Sequence, residues 1–174
     1  EKAMKFETIL YEKEGPLAWI TLNRPEKLNA ITQQMAAEIL LATDKAQCDD
    51  EVRIILLKGE GRAFSAGFDP ELEDRPEQPE DEKLQELKAE LHPDFDLIMR
   101  FWDSPKPTIA AVNGYAFAGG WALAQTCDLC VASTNAKFAI TEVKVGRGSP
   151  WAAPLIHMIG QRIFMEIVLT GKPI

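Results

Sequence analysis

Twice in this sequence an apolar, strand-forming run empties into a loop rich in glycine, alanine and serine, once from Leu56 to Phe68 and again from Ile109 to Trp121. Such a unit constrains the fold, because a buried strand needs hydrogen-bonded neighbours and a short exit that other elements can pack against. Small residues let a ligand or another backbone approach the main chain closely. In the second unit the helix-prone run Trp121-Ala122-Leu123-Ala124-Gln125 follows at once, so unpaired N–H groups and the positive end of a helix dipole face the loop. This is a place suited to negative charge. Neither loop has the Lys-Ser/Thr ending of a Walker motif or a true G-x-G-x-x-G, which argues against a nucleotide phosphate loop.

The rest of the chain supplies partners for these units. Phe6 to Tyr11 and Leu17 to Leu22 are predicted strands, joined by a turn at Glu14-Gly15. Pro25 closes that pattern, and Thr32 is predicted to cap a helix carrying Met35, Ala36, Ile39, Leu40 and Ala46 on one face. Val52 to Leu57 is expected to be a strand covered on both faces. A helix interrupted at Pro93 is expected between Glu82 and Phe101, then strands at Thr108 to Val112, Asp128 to Ala132 and Lys137 to Ile140. Trp151 to Met158 and Arg162 to Leu169 are predicted helices with a break at Gly160. Strands alternating with helices imply an α/β fold with much of its sheet parallel, in one domain spanning residues 1–174.

Charge and cysteine usage narrow the function classes. The 174 residues include 27 acidic and 19 basic side chains, a formal net charge of -8, and ten of the acids but only three of the bases lie from Asp69 to Glu90. Binding to nucleic acid needs clustered Lys and Arg, so no such partner is expected. The acidic stretch, broken by Pro70, Pro76 and Pro79, reads as a solvated flap beside the first small-residue loop. No apolar run reaches bilayer-spanning length and the stretch from Glu1 to Tyr11 lacks a signal-peptide core, so no membrane partner and a cytoplasmic location are expected. Cys48, Cys127 and Cys130 suit a reducing compartment. Cys127 and Cys130 form a lone C-x-x-C at the start of an apolar run and read as core cysteines rather than half a zinc site. No metal is expected, and nothing in the spacing brings His92 or His157 to Ser65 or Ser149 as a nucleophilic triad would require.

Five stretches in order carry a resemblance. Asn23-Arg24-Pro25-Glu26-Lys27-Leu28-Asn29-Ala30, Gly61-Arg62-Ala63-Phe64-Ser65-Ala66-Gly67-Phe68-Asp69, Lys106-Pro107-Thr108-Ile109-Ala110-Ala111-Val112-Asn113-Gly114-Tyr115-Ala116, Cys127-Asp128-Leu129 and Leu169-Thr170-Gly171 look like the successive motifs of the crotonase family. That is the enoyl-CoA hydratase/isomerase superfamily. The resemblance implies a spiral of ββα units. Members of the family continue past the Thr-Gly motif into a helical C-terminal region that covers the acyl pocket and helps build trimers, or hexamers of paired trimers. This sequence ends at Ile174, so the expectation is a catalytic core with that region missing or truncated, in a homotrimer or hexamer.

The resemblance also implies an acyl-CoA substrate, with coenzyme A entering as part of the thioester and no tightly bound cofactor. By position, the thioester oxygen would receive the N–H groups of Phe68 and Gly119, while Lys27, Leu28, Ala66 and Asp69 would lie along the CoA. Family hydratases use two glutamates; the first position here is Ala122 and the second matches Glu142. From composition alone Glu142 reads as an exposed acid capping the next segment, whereas the motif makes it the general acid/base. Hydration or dehydration of an enoyl-CoA is the leading expectation. A lone glutamate also suits enoyl-CoA isomerisation, or hydratase-lyase chemistry on an aromatic or cyclic enoyl-CoA, and a non-catalytic CoA-binding scaffold is the alternative from another class. Ala122 is expected to leave room, with Trp121, Trp151 and Phe68 shaping the acyl pocket.

Overall fold

In the computed structural model, which describes residues 6–69 and 97–174, the chain begins with a hairpin. Strand β1 (Ile9–Glu14) pairs antiparallel with β2 (Leu17–Leu22), whose predicted bounds match those observed. β1 starts three residues later than predicted because the main chain just before it is taken up elsewhere. The Glu38 carboxylate accepts the N–H groups of Glu7 and Thr8 at 3.0 and 2.8 Å and the Thr8 hydroxyl at 2.7 Å. The strand then runs on through Glu12, Lys13 and Glu14, where backbone pairing to Leu17 and its neighbours, not side-chain pattern, sets the end.

After β2, a 3-10 turn (Pro25–Lys27) leads to helix α1 (Gln33–Cys48), and Thr32 caps it as expected, its hydroxyl accepting from the Met35 N–H at 3.1 Å. β3 (Ile54–Gly59) joins β2 in parallel, β5 (Thr108–Val112) joins β3 and β7 (Leu129–Ala132) joins β5, giving a five-stranded sheet ordered β1-β2-β3-β5-β7. One face of this sheet holds the main core. There Met35, Ala36, Ile39, Ala42 and Ala46 of α1, with Leu97 and Phe101 of a helical segment at 97–102, pack on Ile20, Leu22, Ile55, Leu57, Ala110 and Val112.

The opposite face corrects the expectation for β3. Ile54, Leu56 and Lys58 are only partly covered while Ile55, Leu57 and Gly59 are buried, so the strand alternates and is not enclosed on both sides. Trp19, Leu56, Ile109 and Leu129 stand in register across that face, and Leu129 and Val131 on the edge strand are 60% and 64% exposed. Cys130 is exposed too, whereas the C-x-x-C pair was expected in the core. Only Cys127 is buried, its Sγ 3.8 Å from the Leu123 carbonyl and its thiol pKa pushed by burial up to about 12. The edge position of β7 is what leaves its partner cysteine open.

A second, three-stranded parallel sheet is ordered β4-β6-β8, from β4 (Ala63–Ser65), β6 (Tyr115–Phe117) and β8 (Lys137–Ala139). Between β6 and β7 lies helix α2 (Gly119–Gln125). The C-terminal part is helical as predicted but more broken: a 3-10 turn (Pro150–Ala152), then α3 (Leu155–Ile159) and α4 (Gln161–Thr170), with Gly160 at φ 85° between them. The chain therefore alternates strand and helix as expected of an α/β fold. The acidic flap and the Pro93 break fall at 70–96, outside the described residues.

The Glu38 clamp permits a stability prediction. Burial by itself would raise its carboxyl pKa, but the Thr8 hydroxyl, the Glu7 and Thr8 N–H groups and the Gln34 amide together hold it below the ordinary 4.5. Its stabilisation is present above that ordinary value and is lost as pH falls through the lower folded value. Glu38→Ala is expected to cost about 2 kcal/mol at pH 7. Urea titration near neutrality and near pH 3 should show the gap between the variant and the parent closing in acid.

Candidate active site

Three loops leave the C-terminal ends of β4, β6 and β8, and each delivers one predicted site residue. Phe68 lies three residues beyond β4, Gly119 two beyond β6 and Glu142 three beyond β8. Because the strands are parallel and adjacent, all three residues emerge at one edge of one small sheet. In open α/β sheets, that carboxyl edge is where ligands bind.

The first loop is held by a network that ties it to the segment after β2. The Arg24 guanidinium bonds the Ala30 carbonyl at 2.7 Å and pairs with the buried Asp69 carboxylate at 3.0 Å. Asn29, fully buried and at φ 54°, accepts from the Arg24 N–H and donates to the carbonyls of Glu60 and Ala63, both at 2.9 Å. Its own carbonyl accepts the Ser65 hydroxyl at 2.8 Å, and that hydroxyl in turn accepts from the Gly67 N–H. Leu28 and Ala66 meet directly, the Ala66 N–H donating to the Leu28 carbonyl at 2.9 Å. Four of the residues expected along CoA thus lie on two loops that are stitched together, Lys27 and Leu28 on one and Ala66 and Asp69 on the other.

The same stitching orients Phe68. Ile31 donates its N–H to the Gly67 carbonyl at 2.8 Å and accepts from the Asp69 N–H at 2.9 Å, the bonds of a parallel bridge that skips the residue between. The Phe68 N–H therefore points away from Ile31, and neither it nor the Gly119 N–H finds a backbone acceptor among the described residues. The two loops touch. Gly67 has φ 102°, and a Cβ there would fall 2.9 Å from the Ala118 Cβ and 3.1 Å from the Gly119 nitrogen. A Cβ on Gly119 would fall 2.5 Å from two carbons of the Phe68 ring, so the ring lies directly on that glycine. Ala118 holds φ 48° and ψ -126°, a conformation that costs an L-residue about 1–3 kcal/mol and turns the chain abruptly from β6 into α2.

Glu142 opens a 3-10 turn (Glu142–Val145) beyond β8 and is partly buried. Its Oε1 accepts the Trp151 indole N–H at 2.6 Å, while its Oε2 is buried with no partner among the described residues. An exposed acid capping the next segment is not what the structure contains. The adjacent loop is anchored to α2, whose Gln125 amide donates to the Trp151 carbonyl at 2.5 Å.

Other expectations meet the structure less well. Trp121 is buried in a second core with Ile140, Ala152, Leu155 and Ile167, its ring 5.3 Å from that of Phe138, so it is a packing residue and not a wall of an open pocket. Ala122 is fully buried, so the room expected there is not open surface. The Ser65 hydroxyl is engaged, His157 is exposed and His92 lies outside the described residues. Asp128 of the Cys-Asp-Leu motif braces β5 against β7. The Thr108 hydroxyl and N–H both donate to its carboxylate at 2.8 Å, which holds its pKa below the usual range. Among the described residues no three His, Cys, Asp or Glu side chains gather as metal ligands would, and no helix is long and apolar enough to cross a membrane. Sequence reasoning missed the parts played by Arg24, Asn29, Gln125 and Trp151. For the first pair the signal was their place inside a motif; for the second there was none.

Known proteins match this chain in sequence and in fold. Residues 12–174 match the family model described as enoyl-CoA hydratase/isomerase. A crystal structure of an enoyl-CoA hydratase/isomerase from Xanthobacter autotrophicus Py2 is 42% identical and superposes with a TM-score of 0.88 over 97% of this chain and 61% of its own. A Thermus thermophilus protein named for enoyl-CoA hydratase activity is 37% identical over 166 residues, 92% of this chain and 62% of the relative. The (E)-benzylidenesuccinyl-CoA hydratase of Thauera aromatica is 34% identical over 169 residues, 95% of this chain and 63% of that protein. The chain thus spans less than two thirds of the length of these relatives. With the motifs in order, the strand topology and these matches together, the chain belongs to the enoyl-CoA hydratase/isomerase family.

Proposed function

We propose that this chain is the single-domain catalytic core of an enzyme acting on CoA thioesters, with Phe68 and Gly119 as main-chain donors and Glu142 as the acid/base. The observation that carries this reading is the emergence of all three residues from the C-terminal ends of three adjacent parallel strands, where, among the described residues, neither N–H has a backbone acceptor and one Glu142 oxygen is buried without a hydrogen-bond partner. A thioester carbonyl set between the two N–H groups gains negative charge as an enolate forms. Each preorganised donor contributes about 3 kcal/mol to such a transition state. In hydration, Glu142 takes a proton from water as the water oxygen adds to C3 of the enoyl group. The enolate is held by the two N–H groups, and the proton then returns to C2.

In this reading Lys27, Leu28, Ala66 and Asp69 line the CoA, which arrives with the substrate, and no tightly bound cofactor is used. Assembly as a homotrimer, or a hexamer of paired trimers, suits the apolar surface left at Leu129 and Val131. Cytoplasmic placement suits the free thiols.

Ala122 favours a second reading. With a single carboxylate, shuttling one proton between carbons of an enolate is simpler than activating water, which points to isomerisation or to hydratase-lyase chemistry on an aromatic or cyclic enoyl-CoA. Incubating 2-enoyl-, 3-enoyl- and aromatic enoyl-CoA thioesters separately in heavy-oxygen water separates these outcomes. Label at C3 of the product is expected. Double-bond migration without label would replace hydration by isomerisation, and binding of several thioesters with conversion of none would leave a scaffold.

A further inference from the structure

Glu142 has no cation bonded to it among the described residues; its one side-chain partner is the neutral indole of Trp151. A lone carboxylate at the end of a flexible side chain has several rotamers, and proton transfer needs one of its oxygens fixed within hydrogen-bond reach of the reacting carbon or water. An Arg or Lys would orient the carboxylate too, but it would also neutralise much of its charge. A neutral N–H donor fixes one oxygen and leaves the other available. That division is seen here, with Oε1 taken at 2.6 Å and Oε2 buried without a partner among the described residues.

The donor is itself held. Trp151 lies in the 3-10 turn Pro150–Ala152, closed by the Ala152 N–H on the Ser149 carbonyl at 2.9 Å, and its ring packs on the cluster of Trp121, Ile140 and Leu155. The Trp151 carbonyl accepts the Gln125 amide at 2.5 Å. Gln125 is the last residue of α2, whose first residue is Gly119. One helix about 10 Å long therefore carries an expected donor to the thioester oxygen at one end and, at the other, holds the residue that holds the acid/base.

From this we infer that Trp151 is a positioning residue for Glu142: its indole N–H immobilises Oε1 so that Oε2 is the oxygen that exchanges protons with substrate, and Gln125 sets its place through α2. The inference rests on the acid/base reading of Glu142 given above. It also gives Trp151 a task other than shaping an acyl pocket.

The test is a kinetic comparison of W151F, W151F/E142Q and Q125L with the parent and E142Q, on whichever enoyl-CoA the enzyme converts best. Replacing Trp151 by its benzothienyl isostere, which keeps the ring system and exchanges N–H for sulfur, guards against a folding artefact, and circular dichroism checks each variant. W151F and the isostere should lower kcat by about tenfold to a hundredfold with KM within about twofold, because orientation and not binding is lost. Q125L should move kcat in the same direction by less. The double variant should be no slower than E142Q alone, since a positioning residue has nothing left to position. Undiminished kcat in the folded isostere variant, or additive losses in the double variant, would overturn the role of Trp151 while leaving Glu142 in place. Full turnover in E142Q would instead remove the acid/base reading and this inference with it.

Discussion

Glu142→Gln is expected to lower turnover by about 10²- to 10⁴-fold, the range for losing a positioned general acid/base, while affinity for an acyl-CoA stays within a few-fold. Glutamine preserves the shape of the side chain and can still accept the Trp151 indole N–H through its amide oxygen, so the loop beyond β8 has no reason to rearrange. What is lost is the oxygen proposed to take up and return a proton. Binding should survive because the residues proposed to line the CoA, Lys27, Leu28, Ala66 and Asp69, belong to two other loops tied together through Asn29, Ser65 and the Arg24 to Asp69 pair. Steady-state kinetics beside calorimetric titration with a non-reactive acyl-CoA separate the two quantities. A variant that turns over as fast as the parent excludes Glu142 from the chemistry.

Gly119→Ala is expected to cost about 10²- to 10³-fold in turnover, with loss of stability as well. The added methyl would lie 2.5 Å from two carbons of the Phe68 ring, closer than carbon atoms approach, so the ring, the glycine or both must shift. Either shift moves one of the two N–H groups proposed to receive the thioester oxygen. Gly148→Ala is the fitting control: a Cβ there meets nothing within 4 Å, and surface changes of that kind usually fall within about 0.5 kcal/mol. Measuring kcat and the thermal midpoint for both variants decides the matter. Parent-like kcat in Gly119→Ala would show that the thioester oxygen is held elsewhere.

Much of this architecture was legible because its signals are local. Thr32 before a helical apolar repeat, the break at Gly160 and the run Leu17 to Leu22 each depend on a few adjacent residues, and each was found where expected. β1 and β3 were displaced by two or three residues. In both cases a contact distant in sequence sets the boundary: Glu38 before β1, and at β3 the Pro16 carbonyl, which receives the N–H groups of Arg53 and Ile54. Exposure was the harder property to read. β7 is apolar in sequence yet lies at a sheet edge, and no local pattern says which strand will be last in the order. For the proposed site, motif order picked out Phe68, Gly119 and Glu142, and the structure brings them to one edge of the small sheet. Trp151 and Gln125 were not marked for what they hold, because their contacts span 9 and 26 positions.

The parallel sheet β4-β6-β8 also governs when the proposed site comes into being. Its pairings join Ser65 to Ala116 and Phe117 to Ala139, contacts between segments far apart in sequence, and parallel strands have no tight turn to bring them together early. Each loop that carries a proposed site residue leaves a different strand, so a chain with two strands in register and the third unplaced would lack part of the proposed site. Chain closure of this kind is slow, because loop entropy must be spent before any pairing compensates it. On the proposed function, recovered turnover in refolding is expected to be an all-or-none report on the last strand to dock and to lag any signal that follows the β1-β2 hairpin or α1.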